Sequence, residues 1–281
     1  MKMDAFDIQE MGKLCVRGEL PPCITTCPVH VDVRGMLGFI QQGNFDEALK
    51  LYRKAVLFPE IISRICDHPC ETVCLRKDQD EALAVHLLEK ACVDFGSFKT
   101  PKSFPVPPKK QRIAVIGAGL SGLGCAYELK RKGYQVDLFE KRNYLGGRVW
   151  SYDPAVLPSE AIERDLVPFT KSGVNVFLGT LIQDLSGLEY DAFFIAFAEG
   201  VDKLLADGSN VYDPISLVIG DGGVFGVKPS ATAGSAAEYS PISALAAGMR
   251  GARSIERYFQ KVSLQTGREK EGSYCSQTHV T

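Results

Sequence analysis

The stretch Arg112-Ile-Ala-Val-Ile-Gly117-Ala-Gly119-Leu-Ser-Gly122 decides how the second half of this chain folds. Its apolar run reads as a buried parallel strand. The three glycines fit G-x-G-x-x-G, a weak pattern alone but a specific one where it follows a strand and opens a helix. Here a helix is predicted over Leu120 to Lys132, and a second strand over Gln135 to Phe139 closes a βαβ unit. Gly117 makes the tight turn, Gly119 lets a pyrophosphate approach the backbone, and Gly122 brings helix and strand close together. The helix N-terminus then faces the phosphate charge. Glu140 ends the second strand, where a carboxylate accepts hydrogen bonds from a ribose hydroxyl. The rival reading is a glycine-rich turn with a solvated glutamate. Downstream, Asn143-Tyr-Leu-Gly146-Gly147-Arg148 adds a glycine pair typical of FAD sites of the disulfide-reductase type. FAD is therefore expected over NAD, with Lys141, Gly147 and Arg148 beside it.

Upstream lies Thr100 to Lys110, with four prolines in eleven residues. This is a stiff linker and a domain boundary. Residues 1–99 read as a helical domain. Asn44 can cap a helix carrying Phe45, Leu49, Tyr52 and Val56 at helical spacing, and a second helical pattern runs from Glu81 to Val93. Six of the nine cysteines fall in this domain's loops and turns: Cys15, Cys23, Cys27, Cys66, Cys70 and Cys74. Cys23-Ile-Thr-Thr-Cys27-Pro28 has the Cys-x3-Cys-Pro ending of ferredoxin cluster loops, whose last cysteine often serves a different cluster from its neighbours. Cys66-Asp-His-Pro-Cys70-Glu-Thr-Val-Cys74 continues the same spacing. Structural zinc prefers Cys-x2-Cys knuckles, so zinc is the lesser metal reading. His68 could tune a cluster or be an ordinary loop residue. Cys92 and Cys125 read as small buried hydrophobes, and Cys275 as a free thiol in a polar tail.

Beyond the βαβ unit, strand-like runs cover Val174 to Leu178 and Ala192 to Ala198. Pro241 to Phe259 forms an amphipathic helix with Ile242, Leu245, Met249, Ile255 and Tyr258 on one side. The second domain is thus placed at 111–262, and residues 263–281 are expected to be a mobile tail.

Composition narrows the class further. The chain has 281 residues, 45% hydrophobic and 23% charged, with a net charge of −2. No basic surface advertises nucleic acid. No apolar run is long enough for a transmembrane helix, and the start lacks a secretory h-region. A cytoplasmic location is expected, where thiols stay reduced and grouped cysteines more often bind metal than form disulfides.

These motifs give the chain a recognisable likeness. It resembles the iron-sulfur flavoproteins that include the small subunit of glutamate synthase, the N-terminal half of dihydropyrimidine dehydrogenase and the NADPH-binding subunit of electron-bifurcating transhydrogenase. The stretches that carry it are PPCITTCPVHVDV, FPEIISRICDHPCETVC, IAVIGAGLSGLGCAYELKRKGYQVDLFEK and SPISALAAGMRGARSIERYF. The resemblance implies an α+β two-domain chain: an all-helical [4Fe-4S] domain, then an α/β Rossmann-like FAD domain. It also implies one or two clusters, most readily [4Fe-4S]. Cys15, Cys23 and Cys74 would serve one; Cys27, Cys66, Cys70 and Glu89 would serve the other. Ile242 would sit in the helix whose N-terminus approaches the isoalloxazine.

Three departures from the family pattern matter. Gly18 stands where the first group has a cysteine. That cluster could then be [3Fe-4S], could take a non-cysteine ligand such as Glu19, or could be lost. The nicotinamide domain that relatives insert in the FAD domain is absent, so no direct NAD(P)H site is expected. Pro229 falls near the position of a flavin-binding acid, leaving FAD held by altered contacts or lost. The implied function is an electron-transfer subunit working with other redox subunits or ferredoxin-like proteins. A free-standing flavin oxidoreductase acting on a small substrate and a flavin-free scaffold are the alternatives. No catalytic residue for small-molecule chemistry can be named.

Overall fold

The computed structural model describes residues 20–78, 80–97, 106–197, 212–220, 223–227 and 239–274. The chain divides into two compact units. The first is Met1–Lys99 together with Lys270–Thr281, and the second is Thr100–Glu269.

The described part of the first unit is helical: α1 (Pro22–Thr26), α2 (Val33–Gln41), α3 (Phe45–Ala55), α4 (Pro59–Ile65), α5 (Pro69–Thr72) and α6 (Val85–Phe95). Prolines open α1, α4 and α5, where the missing N–H costs nothing. Asp32 caps α2 by accepting from Gly35 N–H at 2.9 Å. Asn44 caps α3 by accepting from Glu47 N–H at 3.2 Å, as the sequence predicts. Acids in the first turn of α3 and bases in its last complement the helix dipole. Met36, Ala48, Tyr52, Val56, Ile61 and Cys92 pack together as fully buried core residues.

Two expectations for this unit need correction. Cys23 and Cys70 lie inside short helices rather than loops. The helix expected from Glu81 starts at Val85, because the Leu83 amide is turned onto the Cys74 sulfur, 3.4 Å away. The predicted tail also looks different up to residue 274. The Arg257 guanidinium donates to the carbonyls of Ser263 and Thr266, and buried Arg268 donates to Ser254 Oγ at 2.6 Å. Tyr274 N–H donates to Thr25 O at 2.9 Å, and Ser273 Oγ to Thr26 O at 2.6 Å. A polar composition hid partners that distant residues supply. Cys275 lies outside the described residues.

The second unit is a five-stranded parallel sheet in the order β3-β2-β1-β4-β5. The strands are β1 (Arg112–Ile116), β2 (Gln135–Phe139), β3 (Asn175–Phe177), β4 (Ala192–Ile195) and β5 (Val224–Gly226). Register sets Ile116 beside Phe139 and Ile195, so the C-terminal ends of β1, β2 and β4 line up at one edge. Ligands bind at that edge in open α/β sheets. Helix α7 (Leu120–Arg131) follows β1, and α8 (Ser159–Thr170), which periodicity alone missed, precedes β3. Helix α9 (Pro241–Gln260) packs on α7 closely enough that a Cβ at Gly248 would lie 2.0 Å from Ser121 O. The strand β5 lies in the stretch GVFGVKPSA; Pro229 itself lies outside the described residues.

Candidate functional site

In the helical unit, cysteine sulfurs are collected by chain turns that aim amides at them. Cys27 ends α1, and the amides of Val29, His30 and Val31 all act on its sulfur. To close that loop His30 adopts φ +54°. Cys66 ends α4 and accepts from His68 N–H at 3.4 Å, with His68 at φ +47°. A non-glycine residue in the left-handed region is strained. Both strained histidines sit where the chain wraps a cysteine. Cys70 is buried on α5.

Glu89 faces this group from α6. It is 5% exposed, and its carboxyl is pushed up to about 8, chiefly by burial. Burial likewise raises the thiols of Cys27, Cys66 and Cys70, and the Glu89 charge pushes all three further. These four groups act on one another, and burial keeps them protonated until a cation enters and takes the place of their protons. Tyr52, fully buried, reaches Glu89 Oε2 with its hydroxyl at 3.4 Å. Cys92 lies on the same helix, fully buried, its thiol pushed up to about 11 by burial and then by Glu89.

The α5 segment is tied to the helix that carries Glu89. Glu71 Oε1 accepts from the His86 amide in the first turn of α6 at 2.9 Å, and contacts His86 Nδ1 at 2.8 Å. Although burial alone would raise Glu71, these bonds hold it below the usual carboxylate range. Glu71 thereby caps α6 and sets the spacing between Cys70 and Glu89. Neither this cap nor the role of Tyr52 left a sequence signal: both residues sit at ordinary helical positions.

Of the other predicted ligands, Cys23 is half-buried on α1, and its charge acts on Cys70. Cys74 is half-buried and accepts from Leu83 N–H. Cys15, Gly18 and Glu19 lie outside the described residues. Amides directed at sulfur, paired with clustered acidic donors, are the surroundings an iron-sulfur cluster needs. On that ground the residues present fit one.

The second site is the glycine turn at the end of β1. Gly117 has φ +100°, open to glycine alone at low cost. A Cβ on Gly122 would lie 1.8 Å from Gly117 O, so α7 can start this close to the strand only without a side chain. Nothing lies within 4 Å of a Cβ placed on Gly119, which leaves the turn open on that side. No side chain caps the start of α7, so its first amides have no such partner. Glu140 is 6% exposed. Its Oε2 accepts from Ala118 N–H at 2.7 Å and its Oε1 from Arg142 N–H at 2.9 Å. Each oxygen keeps a lone pair for a ligand hydroxyl.

The glycine pair docks on the same turn. Gly146 N–H donates to Ala118 O at 2.8 Å, and a Cβ on Gly147 would come within 3.1 Å of Gly119 Cα. Arg148 lies over the Tyr239 ring at 5.1 Å, and burial pushes the Tyr239 hydroxyl up to about 12. Lys141 is exposed. Ile242 is buried in the first turn of α9, whose start is capped by Ser240 accepting from Ser243 N–H at 3.2 Å. The open turn, the uncapped helix start and the placed carboxylate fit a dinucleotide.

Comparison with known proteins finds a family match in each unit. Residues 2–100 match the family described as dihydropyrimidine dehydrogenase domain II, 4Fe-4S cluster. Residues 115–179 match the NAD(P)-binding Rossmann-like domain family. The chain is 33% identical over 185 residues to the NADPH-Fe(3+) oxidoreductase subunit beta of Geobacter sulfurreducens, covering 62% of this chain and 28% of that protein. It is 29% identical over 204 residues to the NADP(+)-dependent formate dehydrogenase subunit beta of Moorella thermoacetica, covering 62% and 29%. It is 32% identical over 212 residues to the glutamate synthase [NADPH] small chain of Halomonas elongata, covering 72% and 44%. The chain therefore spans less than half the length of each of these relatives. Among the described residues no helix is long and apolar enough to cross a membrane.

Proposed function

From a chain that joins a 4Fe-4S domain of the dihydropyrimidine dehydrogenase type to a Rossmann-like dinucleotide-binding domain, we propose an electron-transfer subunit of an oxidoreductase complex. Cys27, Cys66, Cys70 and Glu89 hold one cluster. Cys23, Cys74 and Cys15 serve a second. FAD occupies the glycine turn, with Gly117, Gly119 and Gly122 against the pyrophosphate and Glu140 on the ribose. Lys141, Gly147 and Arg148 line its approach, and the α9 start carrying Ile242 supplies a positive dipole end.

When bound, FAD supplies the exchange between two-electron and one-electron chemistry that a cluster relay needs. The chain's own residues hold the groups and set their surroundings. The buried Glu89 carboxylate replaces a thiolate and gives its cluster a potential distinct from an all-cysteine one. Amides aimed at Cys27 and Cys66 stabilise charge on those sulfurs.

The observation that carries this reading is the grouping of buried Cys27 and Cys70, half-buried Cys66 and buried Glu89 in a domain matched to a cluster family. The partners are other redox subunits or ferredoxin-like proteins. A separate inserted nicotinamide domain would take about 50 residues or more, longer than the segment between Ile195 and Val224. Electrons then arrive through a protein rather than from NAD(P)H bound here. The test is the visible spectrum of anaerobically prepared chain, with iron, acid-labile sulfide and flavin assayed. Flavin bands over a broad cluster shoulder, reduced by a ferredoxin and not by NAD(P)H, support the proposal. Rapid bleaching by NADPH alone overturns the partner reading, and absence of iron and flavin overturns the whole.

A further inference from the structure

We propose that Tyr52 is a positioning residue for the cluster site, donating its hydroxyl proton to Glu89 Oε2 and so presenting Oε1 as the single ligating oxygen. This rests on the reading of Cys27, Cys66, Cys70 and Glu89 as one ligand set.

Tyr52 sits on α3 between Ala48, Leu49 and Val56, all buried, and is itself 0% exposed. A phenylalanine would fill that ring space equally well. A hydroxyl in a dry core is costly unless bonded, and among the described residues its hydrogen-bond partner is Glu89. The dependence runs the other way as well. Among the described residues the Tyr52 hydroxyl is the donor bonded to the Glu89 side chain, and no lysine or arginine pairs with it.

Once a cation holds it deprotonated, a buried carboxylate with one oxygen engaged by a neutral hydroxyl loses half its rotational choice. It would then offer a metal its other oxygen beside the three cysteines. The same bond draws electron density from the ligand. That favours the reduced, more negative cluster and raises its potential, as hydrogen bonds to cluster ligands do. The O···O distance of 3.4 Å is long for such a bond.

The experiment uses the full chain, reconstituted anaerobically, with Tyr52→Phe made alone and in a Glu89→Cys background. The cysteine keeps a ligand but offers no carboxylate oxygen. Midpoint potentials are followed by EPR during redox titration. Iron release to a chelator is timed, and melting of the cluster-free protein is recorded. We expect Y52F to lower one cluster's midpoint, leave any second unchanged, and speed iron release roughly fivefold to tenfold. Melting of the cluster-free protein should fall by no more than one lost buried hydrogen bond accounts for. In the E89C background the added Y52F change should have no effect on the potential. An unchanged midpoint and release rate in Y52F overturns the proposal, whatever E89C does. An equal shift in both backgrounds also overturns it, because Tyr52 would then act through packing. Wild-type protein without acid-labile sulfide fails the cluster reading itself, a separate and distinguishable result.

Discussion

Glu140 Oε2 accepts a hydrogen bond from the Ala118 amide at 2.7 Å, so the acid that ends β2 is fastened to the middle of the glycine turn that ends β1. On the proposed reading, the bond sets where a ribose would sit relative to the pyrophosphate. Glu140→Ala removes both the ligand acceptor and the partner of Ala118 N–H. A hydrogen bond to a charged group is worth about 1.5–3 kcal/mol, so flavin affinity should fall roughly 10- to 150-fold. Glu140→Gln keeps an amide oxygen for Ala118 and should lose less. Fluorescence titration of deflavinated protein with FAD measures both. Equal affinity in all three proteins would remove Glu140 from the site.

Gly122 tests whether the turn is a packing device as well as a cradle. A Cβ there would meet Gly117 O at 1.8 Å, a backbone atom that cannot swing aside. Gly122→Ala should force α7 away from β1, costing about 1–3 kcal/mol of stability together with most of the flavin. Gly119→Ala meets no atom of the protein within 4 Å. It should leave the melting temperature almost unchanged while still weakening FAD, because its methyl group points where the pyrophosphate approaches. The two variants therefore separate folding from binding, and identical behaviour would refute that separation.

Much of this was legible in the sequence, for a physical reason. The βαβ unit depends on local rules: a run of buried residues, glycines at fixed offsets and an acid at the strand end. Strand Gln135–Phe139 accordingly appears where periodicity places it. Asn44 likewise announced α3. What could not be read depends on partners distant in sequence. Helix α8 buries Ala161, Ile162, Leu166 and Phe169 on one face, but Asp165 interrupts that face and Pro168 lies within the helix. Arg268 looks like a polar tail residue until Ser254 is brought beside it. Tyr52 reads as one more apolar helix position, and only the fold sets its hydroxyl against a residue on another helix.

Asp137 ties three strands at once. It accepts from Asn175 Nδ2 at 2.8 Å, Tyr190 OH at 2.7 Å and Arg112 Nη2 at 3.3 Å. Burial would raise its carboxyl, but these bonds outweigh burial and hold it below the usual range. A carboxyl lowered by folding contributes stability above its unfolded value of about 3.9, and that contribution is lost as pH falls through the folded value. Asp137→Asn should therefore melt lower than wild type at pH 7 and lose less on acidification to pH 3. Tyr190→Phe should cost about 1 kcal/mol at neutral pH. Parallel acid limbs in wild type and D137N, followed by calorimetry, would refute the role of this carboxylate.

Tyr274 and Thr25 join the two ends of the described chain, the Tyr274 amide donating to the Thr25 carbonyl at 2.9 Å within the turn that leads to Cys27. Tyr274→Pro deletes that donor and leaves a carbonyl of a 1%-exposed residue unpaired. An unmade bond at a buried group costs about 1–3 kcal/mol. The short helix α1 that joins Cys23 to Cys27 should then fray more often, and cluster absorbance should bleach several-fold faster in air. Tyr274→Phe keeps the amide and should bleach at the wild-type rate. Loss of absorbance timed under a fixed oxygen tension distinguishes them, and equal rates for proline and wild type would sever the end segment from cluster protection.

Cys92 provides the sharpest internal control on the ligand set. It is as buried as Cys27 and Cys70, lies on the same helix as Glu89 and feels that carboxylate. Yet among the described residues no loop amide outside its own helix is directed at its sulfur, in contrast to Cys27 and Cys66. A thiol packed among apolar neighbours behaves as a small hydrophobe. Cys92→Ala should cost no more than about 1–2 kcal/mol of stability and leave iron content intact. Cys66→Ala and Cys70→Ala should each lose one cluster's complement of iron and sulfide while keeping the flavin. Metal and sulfide assays on anaerobically purified variants decide the matter. Iron lost in C92A and retained in C66A would move the ligand set from the amide-lined turns onto α6, and the assignment built on those turns would fall.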